Sequence, residues 1–446
     1  MMEYPIFDVP LLGGSLLIAG VAIVHVFISH FSVGATVFMA VAERRAIRRE
    51  DAGTLAFLRK YSFLVLLVPY VLGTVTGVAI WFVTALVNPR AISILIHQFV
   101  WDWAIEWVLF IIEGVTIYLY VFRWDKIAPK IHNRIGWILA VSSVLTLVII
   151  NAILSFMLTP GSWEPFKAGA FNYIAIFNPS YVPTTLARFL ISLAFAGVGA
   201  VVLACFSRKN DPQARKTIVS LAYKFMIPSI LCLPLGIWTF TQLSQRAQMF
   251  LMGSSGVMAM FAAFGLASFL ILFLAALISL LRKDYTPSSL GSLLLVLLAF
   301  VSFGSMEFVR EGVRKPYIIE GFMYSTGVTT PEYKKLEKQR GANLETTTRD
   351  GVLLAAPWAV PPGKSEAELD KAGRGQAVFK AACLRCHSVD GYNAIRPLIA
   401  GRSDQLLRTV LDDPEAHAAM PPFPGTEKEK RALIEYLRRL NAEQSE

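Results

Sequence analysis

Residues 11–42 read LLGGSLLIAGVAIVHVFISHFSVGATVFMAVA, and this stretch decides the class of fold. It contains no Asp, Glu, Lys or Arg. A helix that crosses the hydrocarbon core of a bilayer, about 30 Å thick, needs about 20 apolar residues. The stretch exceeds that length, and it is too free of charge for an ordinary buried helix. It therefore predicts a helix that spans a membrane.

Seven further stretches of this kind follow along the chain. They lie at about 61–87, 99–122, 135–158, 186–206, 218–241, 255–281 and 287–309. The chain of 446 residues is 55% hydrophobic and 17% charged, whereas soluble globular proteins average about 25% charged residues. This composition excludes a disordered chain, a collagen-like fibre and a disulfide-rich secreted module. We expect an all-α fold in which residues 1–320 form a transmembrane helix bundle of about eight spans.

The distribution of Lys and Arg predicts the orientation of the bundle. Basic residues are much more numerous in the loops after the first, third, fifth and seventh stretches than in the alternate loops. Cytoplasmic loops carry such an excess of Lys and Arg. We therefore expect a multi-pass protein of the bacterial inner membrane with both termini on the periplasmic side. The net charge of +10 is then largely topological, and it does not predict nucleic acid as a partner.

The chain becomes polar after the last stretch. Residues 321–372 predict a linker, and residues 373–446 predict a small all-α domain on the non-cytoplasmic side. This domain contains CLRCH at 383–387, the C-x-x-C-H pattern of covalent haem attachment. Cys383 and Cys386 would bind the vinyl groups of a haem c, and His387 would bind its iron. A zinc site or a redox dithiol is the alternative, but the sequence lacks a second Cys/His pair and a thioredoxin-like βαβ pattern.

A sixth iron ligand is expected from a later loop. Met420 begins the sequence MPPF, and a thioether ligand raises the potential of a haem that has His on its other side. His417 is the alternative ligand. The domain resembles a class I cytochrome c over about 75 residues, and haem c attachment outside the cytoplasm agrees with the predicted orientation.

Three carboxylic acids lie in the third stretch, where charge is costly. Glu106 and Glu113 are seven residues apart and share one helix face, and Asp102 lies nearly on the same side. Such a stripe suits a proton path or a cofactor ligand, so we expect Glu106 and Glu113 to be catalytic. The alternative is a set of protonated, hydrogen-bonded carboxyl groups.

Histidines and small residues lie in the first two stretches. His25 and His30 are five residues apart, so one helix face cannot offer both to the same iron, and each is either a ligand or a buried polar residue. Gly73 and Gly77 either make room for a porphyrin or pack two helices together. His132 is expected to lie solvated in a cytoplasmic loop.

A charged cluster ends the last stretch. Glu307, Arg310 and Arg314 could hold haem propionates, because guanidinium groups match carboxylates in geometry. An interfacial ion network is the alternative.

These residues together resemble subunit I of the cytochrome bd oxidases, over roughly residues 10–320. The resemblance is carried by His25 with Gly34 nine residues later, Ala42-Glu43, Gly73 to Gly77, Glu106 and Glu113 with RWDK at 123–126, and EGVRKPY at 311–317. It implies oxygen reduction with electrons from quinol. It also implies that His25 is an axial ligand of a high-spin haem, and that Glu106 and Glu113 serve that haem site and proton delivery. Glu307 is the nearest candidate for the family's late Glu haem ligand.

The chain departs from the pattern of this family at two places. Ile191 stands where the low-spin haem would have its His, and residues 241–254 are too few for the family's long quinol-binding loop. A haem c domain follows where a ninth span would lie. The chain thus resembles a divergent subunit in which haem c replaces quinol as the entry for electrons.

Two functions follow from this resemblance. The first is a terminal oxidase, fed by a periplasmic electron donor, with haem c and one or two non-covalent haems of b or d type. The second is a non-catalytic subunit that transfers electrons between quinone and a periplasmic acceptor or donor within a larger respiratory complex. A third hypothesis is that the membrane part only anchors the cytochrome. We expect a second membrane subunit or other respiratory subunits as partners.

Overall fold

A computed structural model describes residues 4–164, 173–207, 212–282, 287–332, 334, 351–412 and 419–443. Eight helical segments among them are long and apolar enough to cross a membrane, which confirms the predicted bundle. The segments are Gly13–Arg49, Ala52–Val87, Val100–Phe122, Pro129–Leu158, Tyr181–Phe206, Pro212–Gln242, Gly256–Leu281 and Ser289–Arg314. Several extend beyond the apolar stretches, because a helix can continue where its residues become polar.

Two of the spans are interrupted by irregular turns at proline. Span two consists of α2 (Ala52–Val65), a π-helical turn (Leu66–Leu72) and α3 (Gly73–Val87). Span six consists of α9 (Pro212–Met226), a 3₁₀ turn (Ile227–Leu231) and α10 (Cys232–Gln242). Proline has no amide hydrogen and its ring clashes with an earlier carbonyl, so it locally breaks the α-helical hydrogen-bond pattern.

The other spans are single helices joined by short elements. The spans are α1 (Gly13–Arg49), α5 (Val100–Phe122), α6 (Pro129–Leu158), α8 (Tyr181–Phe206), α12 (Gly256–Leu281) and α13 (Ser289–Arg314). The short elements are α4 (Pro89–Gln98), α7 (Tyr173–Ile176), α11 (Gln245–Met249) and a π-helical turn (Phe250–Ser254). An antiparallel hairpin of β1 (Tyr317–Ile319) and β2 (Met323–Tyr324) follows span eight, and it is the one small sheet among the described residues.

The polar part of the chain is also helical. It contains α14 (Val352–Ala355), 3₁₀ turns at Pro357–Ala359 and Glu366–Glu368, α15 (Lys371–Ala382), α16 (Ile395–Ile399), α17 (Asp404–Asp412) and α18 (Glu427–Ala442). Position 375 requires glycine, because any side chain there would overlap the Ala432 carbonyl of α18. Phe379 packs against Tyr436 with ring centroids 5.7 Å apart. This helix pair forms the frame on which the CLRCH motif sits.

The chain divides into two compact units. The tail unit comprises residues 1–21, 79–97 and 314–446, and the bundle unit comprises residues 22–78 and 98–313. Part of the predicted linker, residues 335–350, lies outside the described residues. The boundaries at 320 and 372 stay a prediction.

Small residues set the distances between helices in the bundle unit. A Cβ added at Gly34 of α1 would overlap the Ser192 carbonyl of α8. A Cβ at Gly197 of α8 would lie 2.5 Å from the Ala222 carbonyl of α9. Helices in a membrane associate mainly through close packing, which small residues permit. The backbones of α1, α8 and α9 are therefore in contact at these glycines.

We expect Gly34→Val to destabilise the bundle by about 1–3 kcal/mol or more, because an overpacked site forces the backbone to shift. Gly114→Val is the matched control, since an added Cβ at Gly114 meets no atom within 4 Å. Thermal unfolding in detergent measures both variants. Equal melting temperatures for the two would show that the contact between α1 and α8 is not tight.

Candidate functional site

The CLRCH motif forms a single tight turn at the end of α15. The amide of Cys383 donates to the Phe379 carbonyl at 2.8 Å, and the amides of Cys386 and His387 donate to the Cys383 carbonyl at 3.0 and 2.9 Å. Neither cysteine is in a disulfide bond. The turn therefore brings two thiols and one imidazole together in the arrangement that covalent haem attachment requires.

The imidazole of His387 is oriented by the following loop. Its Nδ1–H donates to the Asn393 carbonyl at 3.1 Å, and the Asn393 side chain donates to the Cys386 carbonyl at 2.8 Å. Burial lowers the pKa of His387, and the positive charge of Lys315 acts in the same direction. A neutral imidazole with its Nδ1 held by a carbonyl presents Nε2 to a metal. The donor set thus fits the iron of a haem c.

The sixth ligand of that iron stays a prediction. Met420 is half-buried in the loop before α18. His417, the alternative, lies outside the described residues.

His25 of α1 is held by the second span. Its Nδ1 lies 3.1 Å from both the Gly73 carbonyl, to which it donates, and the Thr76 hydroxyl oxygen. A Cβ at Gly77 would lie 3.0 Å from the imidazole Cε1, so the absence of a side chain there accommodates the ring. The glycines therefore pack α3 against α1 around His25. Its Nε2 keeps a lone pair that can bind a metal.

His30 is a buried polar residue whose two ring nitrogens are both in use. Its Nδ1–H donates to the Val26 carbonyl at 2.7 Å, and its Nε2 accepts from Arg188 Nη1 at 3.3 Å. Its side chain is 2% exposed. These contacts distinguish His30 from His25 and leave His30 no nitrogen for a metal.

A buried ion network surrounds Glu307. Arg188 Nη2 donates to Glu307 Oε1 at 2.6 Å, and Arg310 Nε donates to Glu307 Oε2 at 2.8 Å. Arg310 Nη1 is buried and has no hydrogen-bond partner among the described residues. That donor suits an anionic group such as a propionate. Arg314, which belongs to the tail unit, donates to the Ile318 carbonyl.

Arg188 was not identified as a site residue by the sequence reasoning. A signal was present, because an arginine inside an apolar stretch is costly without a partner. Its partners come from span eight and span one, so spacing along the chain did not reveal them.

The two glutamates of α5 lie on one buried face but differ in their contacts. Glu113 accepts hydrogen bonds from the Tyr70 hydroxyl at 3.0 Å and the Thr146 hydroxyl at 2.5 Å. Glu106 is 6% exposed, and its side chain makes no hydrogen bond to the residues that the structure describes. A helix rises about 10 Å over seven residues, so the two carboxyl groups are separated by two turns. Asp102 is also buried, in the first turn of α5.

Another buried carboxyl group, that of Glu43, is held near the end of α5. His132 Nδ1 lies 2.5 Å from Glu43 Oε1, and its Nε2–H donates to the Tyr120 carbonyl at 2.8 Å. The Tyr120 hydroxyl and the Asn133 amide donate to Glu43 Oε2 at 3.1 and 3.0 Å. The expectation that His132 is solvated in a loop is wrong, because α6 already begins at Pro129 and His132 is 2% exposed. Proline in the first turn is a known start signal for a helix.

Comparison with known proteins relates both parts of the chain to respiratory enzymes. Residues 16–256, more than half of the chain, match the family described as "Cytochrome bd terminal oxidase subunit I". Residues 370–437 match the family described as "Cytochrome C oxidase, cbb3-type, subunit III". The solved structure of bd oxidase from Geobacillus thermodenitrificans is similar in fold, with a TM-score of 0.62 and 16% identity over 69% of this chain and 88% of that chain. No curated protein matches the chain.

We expect Arg188→Ala to destabilise the bundle by about 3–5 kcal/mol, because it leaves the Glu307 carboxylate with less compensation in a buried site. Arg59→Ala is the control, since Arg59 and Asp125 form an exposed pair whose side chains are 60% and 64% accessible. Its loss should cost no more than about 1 kcal/mol. Unfolding in mixed detergent micelles measures both variants, and a small effect of Arg188→Ala would contradict the role of the network.

Proposed function

We propose that this chain, which belongs to the cytochrome bd terminal oxidase subunit I family, is the oxygen-reducing subunit of an oxidase that receives electrons through its own haem c. Its membership of this family and its cytochrome c domain make it a multi-pass membrane haem protein of respiratory electron transfer. The observation that supports the proposal is the presence of a complete haem-attachment turn on the same chain as the bundle.

The residues of the chain would hold two kinds of haem. Haem c supplies one-electron transfer, and a membrane haem with an open coordination position supplies oxygen chemistry. Cys383, Cys386 and His387 hold the first, with Met420 as its proposed sixth ligand. For the second, His25 Nε2 would bind the iron, and Arg310 Nη1, which has no partner among the described residues, is suited to a propionate.

Buried carboxyl groups would supply the protons that oxygen reduction consumes. Glu113 can hold a proton at either carboxyl oxygen, since Tyr70 and Thr146 can each act as donor or acceptor. Glu106 lies on the same face of α5 and has no protein partner among the described residues, so it is free to bind iron or to take up a proton. Glu113 is thus held by hydrogen bonds, whereas Glu106 has none among the described residues.

The orientation and the partners belong to the proposal as well. The excess of Lys and Arg in alternate loops supports a periplasmic position for both termini and for the cytochrome domain. Electrons would then come from a periplasmic donor. The outward face of α5 carries exposed apolar side chains, which suits lipid or a second membrane subunit; they include Trp107, Ile111, Val115 and Tyr118.

A second candidate function is electron transfer without oxygen reduction, between quinone and a periplasmic partner. The position of Ile191 favours it, because this residue packs at the hydrophobic core where the resemblance leads us to expect a histidine ligand. The number and type of membrane haems would differ between the two functions.

Carbon monoxide difference spectra distinguish these functions. We expect carbon monoxide to shift the spectrum of a reduced membrane haem, and we expect the purified protein with its partners to consume oxygen when a donor reduces haem c. If carbon monoxide changes no haem spectrum and no oxygen is consumed, the oxidase proposal is contradicted and the electron-transfer function is supported.

We expect His25→Ala to lose one membrane haem while the c-type absorption band stays, because His25 offers the free imidazole nitrogen. His97→Ala is the matched control, since His97 is exposed on α4. Haem extraction and pyridine haemochrome spectra measure the haem content of both variants. Full retention of membrane haem in His25→Ala would show that another residue binds the iron.

A further inference from the structure

The tail unit contains direct hydrogen bonds between the haem c motif region and the segment that precedes span one. The amide of Tyr392 donates to the Leu11 carbonyl at 2.8 Å. The Ser15 hydroxyl, in the first turn of α1, donates to the carbonyl of Arg385 at 2.9 Å. Arg385 stands between the two haem-binding cysteines. The cytochrome domain is therefore attached to the N-terminal segment at two points, besides its covalent connection after span eight.

The contact is close enough to require glycine. A Cβ added at Gly391 would overlap the Leu11 carbonyl. Gly13, whose φ is +65°, faces Tyr392 from the other side, and a Cβ there would lie 3.6 Å from the Tyr392 carbonyl. Ser388 closes the turn, since its hydroxyl accepts from the Gly391 amide and donates to the Tyr392 carbonyl. Two backbones thus meet with little space between them.

The contacting turn is linked to the proximal ligand of the haem. Asn393 follows Tyr392 directly, and its carbonyl accepts the Nδ1–H of His387 at 3.1 Å. Its side chain donates to the Cys386 carbonyl. A displacement of the 388–392 turn would therefore be transmitted to the imidazole that binds iron.

The N-terminal segment is itself held in place within the tail unit. The amide of Phe7 donates to the Leu86 carbonyl near the end of α3 at 2.9 Å. Gly14 lies against the side chain of Val87, where a Cβ would collide with it. The segment that receives the cytochrome domain is thus fixed by a second helix.

We propose that residues 7–15 form a fixed seat for the haem c domain, and that Ser15 and Gly391 are positioning residues for electron transfer through haem c. Ser15 and His25 both belong to α1. The helix that carries the proposed ligand of a membrane haem therefore also begins with the seat. This inference rests on the proposed function, in which electrons pass from haem c to a membrane haem.

A seated domain and a domain that swings on a linker differ in their kinetics. A seated domain needs no search before it transfers an electron, so electron transfer is a single fast phase that does not depend on viscosity. A swinging domain must first find its site, so its rate is lower and depends on viscosity. Because the contact at Gly391 is so close, one substitution there can convert a seated domain into a swinging one.

The test compares Gly391→Val with Tyr392→Phe in the full chain with its haems. Val at 391 should push the turn away from Leu11. Phe at 392 should leave the contact intact, because Tyr392 bonds through its backbone and its side chain is 43% exposed. Ser15→Ala removes the other hydrogen bond. Amide hydrogen exchange of residues 388–393 reports the contact, stopped-flow spectroscopy reports electron transfer from haem c to the membrane haem, and the c-type absorption band reports an intact domain.

We expect slow exchange at Tyr392 in the natural chain and in Tyr392→Phe, and fast exchange in Gly391→Val. Electron transfer in Gly391→Val should slow by about tenfold or more and become viscosity-dependent, because small misplacements of reacting groups are costly in rate. Ser15→Ala should show a smaller loss in the same direction. The c-type absorption band should be retained in all variants, which shows that haem c is still attached.

Fast exchange at Tyr392 in the natural chain, or an unchanged electron-transfer rate in Gly391→Val, would overturn the proposal. If the natural chain passes no electrons between its haems, the proposed function fails instead. Hydrogen exchange then still decides whether the domain is seated, since that measurement needs no turnover.

Discussion

Inside a bilayer there is no water to hydrogen-bond a buried polar group, and the interior of the bundle unit follows this constraint. Glu43 is enclosed by His132, Tyr120 and Asn133. Glu307 is enclosed by Arg188 and Arg310, and these two networks draw their members from different spans. Each therefore fixes the relative positions of helices that the apolar packing alone would leave free to slide. The polar residues of the bundle are part of what holds it together.

The same constraint distinguishes groups with a structural role from groups available for chemistry. Most buried polar side chains in proteins are hydrogen-bonded, so those that lack a hydrogen bond are informative. The open groups among the described residues include a ring nitrogen of His25, the Glu106 carboxyl group and one guanidinium nitrogen of Arg310. An iron ion and the carboxylates of a porphyrin would satisfy groups of these kinds. These buried polar groups without partners support the proposed membrane haem, and so does the family to which the chain belongs.

The eight spans and the CLRCH turn could be predicted from the sequence, because both depend on local features. The length of an apolar stretch indicates a span, and a five-residue motif indicates haem attachment. It did not show that His132 is buried or that Arg188 meets Glu307, which lies over a hundred residues later. Such pairs depend on which helices become neighbours. Gly77 shows an intermediate case, since its small size was evident but the imidazole that it accommodates was not. Spacing identified candidate residues, and only three-dimensional contacts separated His25 from His30.

The hydrogen bond between Leu11 and Tyr392 joins a residue before span one to a residue after span eight. Contacts between residues so distant in sequence close a very long loop, and they form late because that closure is entropically unfavourable until the intervening chain is ordered. The chain must be translated past Tyr392, every span must be inserted, and the turn at 388–392 must form before this bond can exist. Its formation would therefore mark a late step of biogenesis. A chain arrested at any earlier step would leave the Leu11 carbonyl without this partner.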